Sequence, residues 1–393
     1  MPWKASGVVE ERIRFARDWE REELTMTELC EEYGIARKTG YEMVARWQAA
    51  GAGGLSERSR APLRHPNQTP AETEAALLAL RQAHMRWGPR KLQAVLRRTQ
   101  ERVPAASTIG AILQRAGLIV EQRRRRKTPP YTQPLAAAEE GPNRVWCADF
   151  KGYLRTQDGD RIDPFTLSDA HSRYLLRCQA VKKTDTASVR AICEAAFREY
   201  GLPQAIRTDN GAPFASRAIA GLSRLSVYWM KLNIVPERIE PGHPEQNGRH
   251  ERMHRTLKQE TAQPTAANRR AQQRAFDEFR REYNQLRPHE ALGMRTPDAV
   301  YAASPRSYPR RVPQPEYDAS LQVRGVCEGG KFRWKGRFVF LSHALRDERI
   351  GLKPVAEEGW CISFAAFPIA YFDSRRFRVT EWRGDTAEEE NYA

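Results

Sequence analysis

A block of short apolar runs that begins near residue 143 most constrains the fold of this 393-residue chain. Three such runs follow one another between turn residues, and they predict consecutive strands over 145–150, 162–168 and 172–180. A helix over 185–200, a strand leading to Thr208, and a further helix and strand reaching Val235 complete the block. Three antiparallel strands followed by alternating helices and strands predict a layered α/β fold.

Three acidic residues in this region occupy positions where a carboxylate needs a partner or a ligand. Asp149 interrupts an apolar strand, and a carboxylate buried there is costly unless it is paired or binds a metal. Asp209 directly follows a strand, where folds of this class place ligand groups. Glu251 lies in a long charged helix that begins beyond Pro244. Three carboxylates without cysteine partners predict an oxygen-only site, which suits Mg²⁺ or Mn²⁺.

The charge of the chain predicts a polyanionic partner. The formal net charge is +16, which is more than a small acidic ligand requires, and nucleic acid is the usual partner of such a chain. The charge is distributed unevenly along the chain. Residues 1–57 carry 8 basic and 11 acidic side chains, whereas residues 58–127 carry 16 basic and 4 acidic side chains. The basic surface therefore begins near Arg58.

The first of these segments contains a pattern typical of a helix-turn-helix. A short helix over 27–33 is stopped by Gly34, and a second helix follows over 37–47. Arg37 and Lys38 at the start of the second helix are the candidate DNA-facing side chains. An ordinary helical hairpin is the alternative, and the net negative charge of the segment favours that alternative.

The second segment repeats the pattern in a basic setting. A helix is predicted over 71–84, then a turn over 87–91 followed by a helix to about Thr99, and then a helix that is capped by residues 104–108 and ends at Gly117. A basic run follows, which is a poor helix or strand and which we expect to track DNA phosphates: Arg123, Arg124, Arg125 and Arg126.

The end of the chain is predicted to form a small β domain, because apolar and polar residues alternate on both sides of Gly336. The expected domains are therefore a first helix-turn-helix over 1–57, a second over 58–127, a linker over 128–143, an α/β core over 144–305, and a β-rich domain over 315–393.

The composition also predicts a compartment. No run of 18 apolar residues occurs, and the first residues lack the apolar stretch of a signal peptide, so we expect neither membrane spanning nor secretion. Six scattered cysteines without a CxxC pair disfavour a disulfide framework and suit a reducing cytoplasm.

Three motifs carry a resemblance to a known family. They are Trp146-x-x-Asp149-Phe150, Thr208-Asp209-Asn210-Gly211, and His243-Pro244-x-x-Asn247-Gly248-x-x-Glu251-Arg252 followed by Lys258. In this order they resemble the signatures of the insertion-sequence DDE transposases, whose core is similar to retroviral integrase and has an RNase H-like fold. The resemblance extends from the helix-turn-helix units to the C-terminal domain and covers nearly the whole chain.

The resemblance implies a function and a set of roles. It implies a multidomain protein that binds the terminal inverted repeats of a mobile element and catalyses DNA cleavage and strand transfer with two Mg²⁺ or Mn²⁺ ions. Asp149 would bridge the ions, while Asp209 and Glu251 would each hold one. Softer roles are implied for Lys258 and Arg255 at substrate phosphates and for Asn210 and Asn247 at the edge of the site.

The partners follow from the same resemblance. They are duplex DNA at the element ends and at the target, and further copies of the chain in a dimer or a larger synaptic complex. A cytoplasmic, nucleoid-associated protein is expected, and the need for an accessory ATPase stays open.

Two alternatives concern the helix around residue 250. Glu245 competes for the role of third acid, because 35 residues separate it from Asp209, the spacing usual in this family, whereas 41 separate Asp209 from Glu251. Glu251 is preferred because Pro244 and Gly248 precede it as in the motif, and because Lys258 lies two helical turns further on the same face.

The second alternative is a zinc protease, because His250-Glu251-x-x-His254 matches HExxH. Arginines on both sides of the histidines disfavour a zinc ion there and favour DNA phosphates. A DNA-binding protein with a catalytically silent core is a further alternative, although a scaffold gains nothing from three such carboxylates.

Overall fold

The computed structural model describes residues 7–57, 68–119, 140–216, 218–240, 246 and 248–382. The chain divides into two compact units, Met1–Pro70 and Ala71–Ala393. Arg123 to Arg126, Glu245 and Asn247 lie outside the described residues. None of the helices in the described ranges is long and apolar enough to cross a membrane.

The first unit contains three described helices: α1 (Val8–Glu20), α2 (Met26–Glu32) and α3 (Arg37–Gly54). Their shared core is formed by Phe15, Leu29, Cys30 and Val44. Helix α2 begins at a capping box, in which the Thr25 backbone N–H donates to the Glu28 carboxylate at 2.8 Å. The two helices predicted for this segment are confirmed. Helix α1 was not predicted, because charged residues outnumber its few core residues.

Gly40 sets how closely α3 approaches α2. A Cβ atom at this position would lie 2.5 Å from the Cys30 Sγ, so any larger side chain would push the helices apart. The packing leaves Arg37 and Lys38 exposed at the first turn of α3, the end of a recognition helix that faces base edges in helix-turn-helix proteins.

The second helical group lies in the larger unit and comprises α4 (Ala71–Ala83), α5 (Pro89–Leu96) and α6 (Ala106–Arg115). Its core is formed by Leu77, Trp87, Leu92, Ile109 and Leu113. Three helices are present where three were predicted. Helix α5 ends at Leu96 rather than near Thr99, because the Thr99 N–H donates to the Leu96 carbonyl in a turn.

A mixed sheet forms the centre of the larger unit. Its strands are β1 (Val145–Phe150), β2 (Leu154–Arg155), β3 (Arg161–Asp169), β4 (Leu175–Val181), β5 (Ala205–Thr208) and β6 (Val235–Arg238). The order is β4, β3, β1, β5, β6, and the short β2 pairs with the start of β3. Strands β1, β3 and β4 are antiparallel, whereas β5 runs parallel to β1 and β6. The predicted α/β core is confirmed.

Helices cover both faces of this sheet: α7 (Thr186–Tyr200) and α8 (Arg224–Lys231) on one, α9 (Gly248–Thr261) and α10 (Arg269–Gln285) on the other. Trp146 and Ala148 of β1 pack in the same core as α7 and α8. Successive strand residues point to opposite faces, so Cys147 and Asp149 lie on the α9 face.

Two strand ends differ from the predicted ones. Strand β4 begins at Leu175 rather than at residue 172, because the Asp169 carboxylate accepts the Ser172 N–H at 2.7 Å and closes a turn. Strand β6 begins at Val235, where the pattern predicted its end, because Asn233 adopts a left-handed φ of 55° and delays the strand.

Helix α10 closes the outer edge of β4 with side-chain amides. The Asn284 Oδ1 accepts the Leu175 N–H at 2.8 Å, and the Asn284 Nδ2 donates to the Leu175 carbonyl at 3.0 Å. Gln273 plays the same role further along β4. Its side chain accepts the Ala180 N–H and donates to the Cys178 carbonyl. The helix thus satisfies backbone groups that would otherwise need another strand.

We expect Asn284→Ala to lower the free energy of unfolding by about 2–4 kcal/mol, because it leaves two buried backbone groups without partners. The measurement is urea denaturation of the full chain. The control is Gln285→Ala, because Gln285 is exposed on the same helix. It should change the free energy of unfolding by no more than about 0.5 kcal/mol. Equal midpoints for the two variants would contradict the role of α10 at this edge.

Seven strands form most of the regular structure described in the C-terminal part: β7 (Gln322–Gly325), β8 (Lys331–Trp334), β9 (Arg337–Phe340), β10 (Arg349–Pro354), β11 (Gly359–Phe364), β12 (Phe367–Asp373) and β13 (Arg378–Glu381). Strands β8 and β9 form the predicted hairpin, with Gly336 at a φ of +83° in the turn. The other five form an antiparallel sheet in the order β13, β12, β11, β10, β7. The predicted small β domain is confirmed.

Candidate active site

Asp149 lies near the end of β1, under helix α9. Its side chain is 14% exposed, so its carboxylate is largely withdrawn from solvent. The backbone of Asp149 is held by antiparallel pairing with Thr166 of β3. The sequence therefore places a carboxylate at a rigid position of the sheet.

Asp209 directly follows the neighbouring strand β5, at a position that corresponds to Asp149 in the register of the two strands. The parallel register pairs Val145 with Ala205 and Cys147 with Arg207, and two residues further along each strand are Asp149 and Asp209. Asp149 therefore lies on the α9 face of β1, and Asp209 lies just beyond the end of the adjacent strand β5. The Asp209 Oδ1 accepts the Gly211 N–H at 3.1 Å, which orders the loop after the strand.

Asn210 lies in the same loop and is exposed. Its Nδ2 donates to the Ile239 carbonyl at 2.8 Å, which joins the loop after β5 to the residue just beyond β6. The structure thus places this residue in the loop after β5, directly after Asp209 in the chain.

Glu251 lies in the first turn of α9 and is exposed. Arg255 and Lys258 are also exposed, and the three share one face of the helix at intervals of four and three residues. The adjacent face is buried and is formed by His250, Met253, His254, Leu257 and Thr261. The carboxylate and the two cations therefore flank the line along which α9 packs on the sheet.

The three predicted acids are not drawn into one tight group. In the part of the chain that the structure describes, one cluster of possible metal ligands is found. It consists of Asp149, His250 and His254, whose ligand atoms all lie within 4.8 Å of one another. Asp209 and Glu251 stand outside it.

The two histidines meet at one hydroxyl group. The Thr166 Oγ1 lies 2.6 Å from the Nε2 of His250 and 2.6 Å from the Nε2 of His254. Ser168 Oγ lies 3.3 Å from the other ring nitrogen of His250, and Asp149 Oδ2 lies 3.8 Å from that of His254. The position between the two Nε2 atoms is thus filled by a threonine oxygen, which does not favour the zinc-protease alternative.

Burial disfavours the protonated form of both imidazoles. It lowers the pKa of His250 to about 3. Burial also lowers the pKa of His254 far below its usual range, with smaller contributions from His250 and Lys151. Neutral rings each carry one N–H, so each can donate one hydrogen bond and accept one.

Sequence reasoning missed Thr166 and assigned the histidines only to the zinc alternative. A signal was present, because Thr166 is a hydroxyl residue inside an apolar strand. Its partner could be identified only after the register of β1 against β3 was known.

Comparisons with known proteins agree on the family. Two models described as "Integrase core domain" match residues 139–244 and 232–297, and a "Homeodomain-like domain" model matches residues 39–113. The chain is 32% identical over 260 residues to "Insertion element IS476 uncharacterized 39.2 kDa protein" from Xanthomonas euvesicatoria, covering 64% of this chain and 72% of that protein.

A second relative is "Insertion element IS407 uncharacterized 31.7 kDa protein" from Burkholderia multivorans, 28% identical over 62% of this chain and 84% of that protein. Among solved structures, the HTLV-2 integrase catalytic core domain in complex with magnesium aligns with a TM-score of 0.33 and 17% identity, over 41% of this chain and 97% of that one. The chain belongs to the family of insertion-sequence DDE transposases with an integrase-like core.

Proposed function

We propose that the protein cuts DNA at the ends of a mobile element and joins those ends to target DNA by phosphoryl transfer dependent on a divalent metal ion. The observation that supports this proposal is the parallel register of β1 and β5, which brings Asp149 and Asp209 to adjacent strand ends, while α9, which carries Glu251 in its first turn, contacts Asp149 through His254. The homeodomain-like match over residues 39–113 supports a role of the helical region in finding the element ends.

The donor set suits Mg²⁺ or Mn²⁺. Carboxylate oxygens are the ligands that these ions prefer, whereas three of the four nearby ring nitrogens are engaged by Thr166 and Ser168 and the fourth faces Asp149. In the proposed site Asp149 would be shared between two ions, with Asp209 and Glu251 each holding one. Bound there, such ions activate an attacking oxygen and stabilise the leaving oxygen of an in-line displacement.

The other side chains would bind and orient DNA. Arg255 and Lys258 lie on the face of Glu251, where they would hold phosphates next to the scissile bond. Asn210, and Asn247 just before α9, would order the edge of the site. Because two element ends must be held at once, we propose that copies of the chain assemble on DNA as a dimer or a larger synaptic complex.

The test uses the full chain with duplex DNA that carries the terminal inverted repeats found beside its gene. In Mg²⁺ we expect nicks that leave 3′-hydroxyl ends and, with target DNA added, joined products; EDTA should remove both. Binding of the repeats without cleavage in Mg²⁺ or Mn²⁺ would favour the alternative, a DNA-binding protein with a silent core.

Recognition of the repeats can be tested at the start of α3. We expect Arg37→Ala or Lys38→Ala to weaken binding to the repeat roughly tenfold or more relative to unrelated duplex, if the side chain contacts a base edge. If it contacts a phosphate instead, both DNAs should weaken alike, and the log–log salt slope should fall by about 0.9. Fluorescence anisotropy at several salt concentrations separates the two.

A matched control is Arg21→Ala, because Arg21 is exposed in the same unit and pairs only at the surface with Asp18. It should leave the ratio of repeat to unrelated DNA unchanged. If Arg37→Ala and Lys38→Ala behave like this control, α3 does not read the repeat.

A further inference from the structure

A polar contact lies inside the otherwise apolar layer between α9 and the sheet. His250, His254 and Thr166 are 3%, 4% and 0% exposed, while Met253 and Leu257 on the same helix face pack in an apolar cluster. Burying three polar side chains costs free energy unless they satisfy one another. We call these three residues the His–Thr cluster.

The hydrogens of the His–Thr cluster can be assigned from the number of donors. The Thr166 hydroxyl has one hydrogen, and its Oγ1 lies 2.6 Å from the Nε2 of each ring but 3.3 Å from the Asp149 backbone carbonyl, so in its two shorter contacts it donates to one ring and accepts an N–H from the other. Two directions are therefore available to the chain of hydrogen bonds from Ser168 to Asp149.

Only one direction suits the carboxylate at its end. If the Ser168 hydroxyl donates to Nδ1 of His250, that ring donates through Nε2 to Thr166, and Thr166 donates to Nε2 of His254. The remaining hydrogen of His254 then sits on Nδ1, facing Asp149 Oδ2 at 3.8 Å. The reverse direction would set a lone pair against the carboxylate, which is repulsive.

We propose that the His–Thr cluster is a positioning device, in which His254 and Thr166 set the orientation of the Asp149 carboxylate and the rotation of α9 that carries Glu251. His254 and Glu251 are three residues apart and are neighbours on the helix surface, so the seating of His254 on Thr166 determines where Glu251 points. Buried polar contacts of this kind select one register between packed elements. This inference rests on the proposed function, because it treats Asp149 and Glu251 as the residues to be positioned.

The cluster also accounts for the HExxH pattern of the sequence. The two histidines bind a threonine of the sheet, and the glutamate between them lies on the exposed side of α9. The spacing of four residues then serves a hydrogen-bonded contact with β3 rather than a zinc ion.

The decisive pair of variants is Thr166→Val and Thr166→Ser. Valine removes the hydroxyl with little change of shape, whereas serine keeps it. We expect Thr166→Val to weaken Mn²⁺ binding by about 10- to 100-fold, the range found when residues that orient a metal ligand are removed. Mn²⁺ binding is measured by electron paramagnetic resonance of the full chain without DNA. Thr166→Ser should restore it to within about threefold of wild type.

Kinetics give a second measurement. In DNA cleavage we expect Thr166→Val to lower kcat more than it raises KM for DNA, because Arg37 and Lys38 of α3, the side chains proposed to read the repeat, are not altered. Thr256→Val is the control, because this threonine of α9 only donates to the Arg252 carbonyl on its own helix. It should retain wild-type Mn²⁺ binding and kcat.

Should Thr166→Val fail to fold, His254→Phe tests the same point. Phenylalanine keeps a buried ring, and in this variant the Thr166 hydroxyl keeps His250 as a hydrogen-bond partner. We expect a folded variant with weakened Mn²⁺ binding. A folded His254→Phe or Thr166→Val that binds Mn²⁺ like wild type, while wild type cleaves DNA, overturns this inference alone. Absence of cleavage by wild type overturns the proposed function and this inference with it.

Discussion

Asp149→Asn is expected to lower the rate of DNA cleavage about 10³-fold or more, since loss of a metal-binding carboxylate removes several kcal/mol of transition-state stabilisation. Asparagine has nearly the same shape as aspartate, so the packing under α9 should persist. Asp209→Asn should cause a similar loss. The rate is measured as single-turnover nicking of a repeat-bearing duplex in Mg²⁺, together with DNA affinity, which should change little.

A matched control for both is Asp160→Asn. Asp160 lies in the turn between β2 and β3, where it pairs with Lys182 at 3.3 Å, and both side chains are about half exposed. An exposed pair of this kind contributes little, so its removal should leave cleavage within about twofold of wild type. Wild-type cleavage by Asp149→Asn or Asp209→Asn would remove the basis of the proposed mechanism.

Glu251→Gln is the second change expected to have a large effect. If this carboxylate holds one of the ions, its loss should also reduce cleavage about 10³-fold, and joining should fall with it. The exposure of Glu251 on α9 means that the variant should fold and bind DNA normally. Cleavage is assayed on intact ends, and strand transfer is assayed separately on ends that are already nicked.

The comparison for Glu251 is Glu245→Gln, which should keep substantial activity. The spacing of 35 residues from Asp209 makes Glu245 the natural rival for the third carboxylate. If Glu245→Gln were inactive and Glu251→Gln active, the third acid would lie in the segment before α9, and the His–Thr cluster would position only Asp149.

The strands of the core could be predicted because their apolar runs are bounded by turn residues. Strand β1 begins and ends where the pattern placed it. The start of β4 could not be placed, because it depends on a hydrogen bond from Ser172 to Asp169 that a hydropathy pattern does not contain. Helix α1 was missed for a related reason, since its few core residues are hidden among charged ones.

The carboxylates were predictable as candidates, because each interrupts or ends a recognisable element. Their surroundings were not. Whether His250 and His254 face a metal ion, solvent or another side chain depends on which strand lies beneath α9 and on its register, and both are set by tertiary pairing. The same limit applies to Asn284, whose role exists only because α10 lies along β4.

The closure of β4 by α10 has a consequence for the synthesis of the chain. All six strands of the central sheet precede residue 269 in the sequence, so a growing chain can form the sheet before the helix that protects its edge has been made. During that interval the backbone groups of β4 are open to strands of other chains, and open edges template aggregation. A fragment that stops after α9 would keep this edge exposed, so in the full chain the stretch 269–285 is what covers the edge against strands of other chains.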